Sequence, residues 1–415
     1  MSQTRVRAAG VDAPSPARSL LRLTGPTFFP LAFISRLPFA MTVVGVLTII
    51  SSVRGSVADG GAVSAVAGIG TAIFGPMVGA LADRFGQRPV LLVCVSVNVV
   101  SLVGFLLLTY SAASIFWVGA IGFVVGASTP QVASLSRSRL VSLVTANAHG
   151  LERRKILSLV MSYESVADES AFVIGPVLIG VIATALGAGA PLAIAAGVAA
   201  FFVVAFALHP SARRAEPTTV ALVALERTRS LVRPRILVLS AGMFFVGAFF
   251  GPALTALTAF MRDQRLELAT GIVYGGMSVG SVLIAILIAF APESFSLRSR
   301  WIAFGALALL ATMSLIVATS VAMVAVGLAV AGCGIGAVIV TLFTTAHQRT
   351  PAGRTTTVMT MLSSALIVGQ ALFTALGGFI AENGGAGIGF VLTAETAAAV
   401  VMTGLVSYAM EGWRA

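Results

Sequence analysis

Gly79-Ala80-Leu81-Ala82-Asp83-Arg84-Phe85-Gly86-Gln87-Arg88-Pro89 lies between two long apolar runs. An aspartate and two arginines do not rest in hydrocarbon, so this turn surfaces at a membrane face. Gly79 removes a side chain where the end of one helix can approach another backbone. Gly86 permits a turn conformation that strains other residues, and Pro89 suits the first turn of the following helix. Composition agrees with a polytopic membrane protein. Of the 415 residues, 58% are hydrophobic and 10% charged, with mean hydropathy +1.01. Soluble chains carry about 25% charged residues.

A spanning helix needs about 20 apolar residues. Hydropathy places such spans near 28–50, 61–82, 89–109, 112–135, 156–183, 190–209, 236–260, 269–291, 301–319, 321–346, 356–380 and 386–410. That is twelve, an all-α membrane fold with both termini on one side. Basic residues choose the side. Arg84, Arg88, Arg137, Arg139, Arg153, Arg154, Lys155, Arg298, Arg300, Arg349 and Arg354 fall in intervals on the side of the termini. The other face has Arg54, Arg262 and Arg265, with Asp59, Asp263 and Glu267 close by. The termini are therefore expected in the cytoplasm.

The same rule explains the net charge of +11: arginines gather beside anionic lipid at the cytoplasmic face, and nucleic acid is not a partner. Residues 1–25 read as a basic disordered tail and 26–210 as a first six-helix bundle. A cytoplasmic linker over 211–235 leads to a second bundle over 236–410, and 411–415 form a short tail. Cys94 and Cys333 fall inside apolar spans as small core residues. His149, His209 and His347 sit at span ends or in loops, and no spacing suits a metal or cofactor. Nothing suggests an enzyme, and no domain extends from the bilayer to act as a receptor or scaffold.

The turn at 79–89 resembles the loop signature of the major facilitator superfamily: glycine, three residues, aspartate, a basic residue, one residue, glycine, then basic residues. Gly79, Asp83, Arg84, Gly86 and Arg88 match it, while Gln87 and Pro89 depart from it. The resemblance implies two six-helix bundles around a central cavity that opens alternately to each side. It also implies that Asp83 anchors span 2 against the start of span 11 and so closes the cytoplasmic gate. Gly175, Pro176 and Gly180 in span 5 resemble the Gly-Pro motif of the family's drug/proton antiporters. Ala171 and Ile179 replace two of that motif's glycines, and span 4, read as 112–135, lacks the arginine those antiporters often carry.

The two halves match at one place. Val160-Met161-Ser162, Ser165, Ala167 and Gly180 align with Val358-Met359-Thr360, Ser363, Ala365 and Gly378 at a constant offset. The acids do not repeat: Glu164, Asp168 and Glu169 stand opposite Leu362, Leu366 and Ile367. Arg36 in span 1 lies at the depth of Glu164, roughly 12 Å from the cytoplasmic end at 1.5 Å per residue. A charge at the bilayer centre costs on the order of 3 kcal/mol, so all four groups are expected to face inward. Arg36 is expected to pair with Glu164 and to reach Asp168. Either one carboxylate exchanges a proton as access alternates, or the pair is a permanent bridge that fixes spans 1 and 5. Glu395, near the middle of span 12, finds no role.

These features point to a secondary transporter, monomeric, in a bacterial plasma membrane, exporting small lipophilic or cationic molecules against protons. The alternative is a sugar or metabolite transporter in which Arg36 recognises an anionic or hydroxylated substrate.

Overall fold

The computed structural model describes residues 16–214, 234–288, 295–349 and 355–412, and all their regular structure is helical. After a short α1 (Pro16–Thr24), the first half holds α2 (Phe28–Ile34) and α3 (Leu37–Arg54), α4 (Val57–Phe85), α5 (Gln87–Tyr110), α6 (Ile115–Ala127), α7 (Val132–Asn147) and α8 (Gly150–Leu186). It closes with α9 (Ala190–Val198), a π-turn (Ala199–Val203), α10 (Val204–Leu208) and α11 (Ser211–Arg214). The second half holds α12 (Pro234–Asp263), α13 (Thr270–Ile288), α14 (Leu297–Leu315), α15 (Val321–Arg349) and α16 (Thr355–Gly412). Among the described residues ten helical stretches are long and apolar enough to cross a membrane, against the expected twelve. The last, Met361–Met410, contains Gly385 at φ +80°, where the helix breaks. A side chain there would be strained, so only glycine turns the chain cheaply.

Three readings change. Residues 16–24, expected as part of a disordered tail, are helical; residues 1–15, most of the linker and residues 413–415 lie outside the described residues. The fourth membrane stretch runs over Ile115–Asn147, not 112–135, because α7 continues it beyond a break at Thr129-Pro130-Gln131. Arg137 and Arg139, assigned to a loop, therefore sit on a helix. The approach expected at Gly79 is not seen among the described residues: no atom of another described element lies within 4 Å of where its side chain would start. Gly86 behaves as expected, at φ +88° between α4 and α5, with Pro89 in the first turn of α5.

The two halves build their interiors differently. The second has one continuous apolar core, in which Met243, Val246, Phe249, Leu342, Leu362 and Phe390 are buried, and which reaches into the first half at Met41, Val44, Leu47 and Ile179. The first has two separate clusters. One, around Phe28, Leu91, Val95, Leu140, Val160 and Phe206, lies toward the end that carries residues 79–89, here termed the motif end. The other, around Ile49, Ile50, Leu102, Phe105, Val118 and Leu192, lies toward the far end. Between them, partway along their helices, Arg36, Thr71, Asn98, Ser101, Ser128, Thr129 and Glu164 are buried. A polar layer thus crosses the first half. Its neutral members are hydrogen-bonded, as buried polar groups must be: Asn98 donates to the Val125 carbonyl at 2.9 Å and Thr71 to that of Gly126 at 3.1 Å.

Candidate functional site

Three local breaks assemble the charged part of this layer. Pro38 lacks an N–H, which interrupts span 1 between α2 and α3 and places Arg36 at the interruption. Ser35 beside it bonds the Leu31 carbonyl at 2.7 Å and the Phe202 carbonyl at 3.0 Å. Phe202 belongs to the π-turn of span 6, the kind of local irregularity that often marks a functional position. The third break, at Pro130, sets the direction of α7, so that Ser136 and Arg137 meet α8.

Arg36, Glu164, Asp168 and Arg137 then form a chain of opposite charges. Arg36 Nη2 donates to Glu164 Oε2 at 2.5 Å, and Ser136 Oγ donates to Glu164 Oε1 at 2.8 Å. Arg36 Nε lies 3.2 Å from Asp168 Oδ1 without the alignment of a hydrogen bond. The other carboxylate oxygen, Asp168 Oδ2, accepts from Arg137 Nη2 at 2.9 Å. Exposure rises along the chain. The side chains of Glu164 and Arg36 are 0% and 3% exposed, those of Asp168 and Arg137 27% and 44%. Glu164 is thus sealed between two donors, while Asp168 touches the outside.

Tyr163 holds the frame. Its hydroxyl donates to the Phe29 carbonyl at 3.0 Å, its ring packs edge-on against Phe29, and Arg36 lies 5.9 Å from its centroid. The expected pairing of Arg36 with Glu164 and Asp168 is present; Ser136 and Arg137 join it unforeseen. A longer reading of span 4 would have shown both, since they stand four and three residues before Leu140, an apolar core position. The side chains of Glu169 and Asp83 lie outside the described residues. Arg84 is exposed beside the Phe85 ring, and Arg88 is half-buried.

The Gly-Pro stretch of span 5 serves close approach. A side chain at Gly175 would meet Ala40 of α3 at 2.7 Å, and one at Gly180 would meet Ile272 of α13 at 2.5 Å. The Pro176 carbonyl faces Gly271. α8 continues unbroken through Pro176. At the aligned place in the second half, Leu362 is buried in the apolar core and the Leu366 carbonyl packs on Gly247. Ions in one half thus stand where close apolar packing stands in the other. Among the described residues no group of His, Cys, Asp or Glu is placed to hold a metal ion.

Broken spans, with the buried charges of the described residues all in the first half, suit a helical membrane protein that moves polar solutes. Residues 28–374 match the Major Facilitator Superfamily, and the chain belongs to that family. It is a multi-pass membrane transporter, not an enzyme. Its fold is similar to crystal structures of the nucleoside transporter NupG. A mutant of that protein aligns with TM-score 0.71 at 14% identity, covering 92% of this chain and 98% of that one. A second NupG structure gives TM-score 0.64 at 14% identity over 94% and 98%. At such identity the likeness is one of fold. No curated protein matches the chain.

Proposed function

We propose that this protein is a secondary transporter of a small polar metabolite, driven by protons, with Asp168 as the proton-carrying group. The observation behind this reading is the gradient of exposure from Glu164 to Arg137. Glu164 has two donors and a fully buried side chain, so it acts as the fixed counter-ion of Arg36. Asp168 is shared between a buried and an exposed arginine and is open to one side. Protonation of Asp168 releases Arg137 and frees Arg36 Nε, while Arg36 keeps Glu164, leaving a net positive site that favours an anionic or hydroxyl-rich substrate; deprotonation restores the neutral network. Nucleosides, carried by the structurally similar transporter, belong to the chemical class to test first. The motif-matching Gly175-Pro176-Gly180 supports a second reading, export of lipophilic cations, in which the same acids attract the substrate.

Twelve crossings are proposed, with Gly385 dividing the last two and α14 as the ninth, in two six-helix bundles over 26–210 and 236–410. The termini, the linker and the motif end face the cytoplasm and its anionic lipids, and the protein works as a monomer in a bacterial plasma membrane. Flux into proteoliposomes under an imposed pH gradient tests the scheme. Asp168→Asn is expected to abolish acceleration by the gradient while leaving exchange of unlabelled for labelled substrate. Full acceleration in that variant overturns the assignment of Asp168.

A further inference from the structure

At the far end of the molecule one carboxylate joins three helices from both halves. Glu382, in the last turn before the break at Gly385, accepts from the backbone N–H of Val57 at 2.7 Å and from Arg262 Nη1 at 3.0 Å. The same Arg262 nitrogen reaches the Gly55 carbonyl at 3.2 Å, at the C-terminus of α3. An acid in the last turn of its own helix opposes that helix's dipole, so the location alone is unfavourable. Val57 supplies the compensation. It is the first residue of α4, and its N–H has no partner within its helix.

Below this knot α4 and α16 run closely together. A side chain at Gly61 would meet the Thr374 carbonyl at 2.6 Å, and one at Gly68 would meet Ala371 at 2.9 Å. α8 and α13 touch at Gly180 and Gly271, also toward the far end. At the motif end, by contrast, no described element approaches Gly79 within 4 Å. The two halves are therefore joined at the far end.

We propose that Glu382 is a positioning residue of the transport cycle: it latches the far end shut, as the counterpart of Asp83 at the motif end. Both acids sit in the last turn of a helix, and both helices belong to the same pair. Residues 57 and 83 of α4 are about 40 Å apart at 1.5 Å per residue. Rocking about the Gly61–Gly68 contact engages one acid as it releases the other. The inference rests on the alternating-access reading and assigns its far-side closure to Glu382, Arg262, Val57 and Gly55.

The test uses Thr374→Cys, buried at the helix pair, in a Cys94→Ala/Cys333→Ala background, labelled by a membrane-impermeant maleimide from the far side. Glu382→Gln is expected to raise the labelling rate about tenfold, the factor for losing one charge-assisted hydrogen bond. Adding Asp83→Asn to Glu382→Gln is expected to bring the rate back toward the parent, because both closures are then weakened. An unchanged rate in Glu382→Gln overturns the latch. So does a raised rate that Asp83→Asn leaves untouched, since local fraying would ignore a change at the other end. Should Glu382→Gln fail to fold, Arg262→Gln, which keeps the Val57 bond, carries the same expectation in smaller measure. Parent protein that moves no substrate in the flux assay defeats the transport reading, whereas labelling reports on the latch alone.

Discussion

Gln87 and Arg139 are hydrogen-bonded: Gln87 Oε1 accepts from Arg139 Nε at 2.9 Å, and Gln87 Nε2 donates to Ser138 Oγ at 2.9 Å. Arg139 is fully buried, bonds the Phe206 carbonyl at 3.0 Å and lies 4.1 Å from the centroid of the Phe206 ring. The position where the loop signature departs from its family pattern thus has a local reason. A basic residue at 87 would meet a buried arginine.

The first prediction follows. Gln87→Ala is expected to cost about 1.5–3 kcal/mol of stability, the worth of a hydrogen bond to a charged group. Gln87→Arg, closer to the family pattern, is expected to cost more because like charges then face each other without water. Thermal unfolding of the two purified variants in detergent orders them. A stabilised Gln87→Arg would remove the explanation.

The ion network gives a second prediction. Breaking a buried pair from one side costs about 3–5 kcal/mol, because the remaining charge is stranded. Glu164→Gln is therefore expected to lower stability more than Asp168→Asn, whose site is partly exposed and whose arginines keep Glu164 or water. Arg36→Met together with Glu164→Leu is expected to be less destabilised than the sum of its singles by more than about 1 kcal/mol. Additive unfolding free energies would mean that the pair does not act as a unit.

The membrane class, Gly86, Pro89 and the pairing of Arg36 with Glu164 and Asp168 were legible in the sequence, because each follows from a cost that lipid imposes on charge or backbone. The length of span 4 was not. Ser136, Arg137, Ser138 and Arg139 lower the hydropathy after Pro130, and a window tuned to lipid-facing helices stops there. Burial inside a bundle lets α7 carry such residues, since its neighbours satisfy them. Glu382 was equally hidden. Its partners are a backbone N–H and an arginine from distant parts of the chain, and no motif joins them.

Close helix packing supplies a third prediction. A side chain at Gly126 would start 1.8 Å from the Ala67 carbonyl oxygen, and one at Gly247 would start 1.9 Å from that of Leu366. Backbone cannot yield as a flexible side chain does, so each alanine substitution forces helices apart at about 1–3 kcal/mol. Gly119 and Gly197 have nothing within 4 Å and serve as controls. Gly126→Ala and Gly247→Ala are expected to lower the unfolding temperature, while Gly119→Ala and Gly197→Ala leave it unchanged or raise it slightly. Four equal temperatures would contradict the helix spacing.

Glu395 departs from the rule that charges in the membrane turn inward. It is exposed, seven residues from Ile388 and from Met402, which are exposed on the same side of the helix. Ten residues past the break at Gly385, it lies about 15 Å along the helix, near mid-bilayer for a span of ordinary tilt. An ionised carboxylate there costs up to about 3 kcal/mol of insertion free energy. If the residue only bears that cost, Glu395→Leu is expected to raise membrane yield and unfolding temperature and to leave proton-driven flux intact. Glu395→Gln, which keeps shape and removes the charge, should gain less because its amide still faces hydrocarbon. Loss of flux in both variants at normal yield would instead give this carboxylate a place in the transport cycle, separate from the network around Arg36.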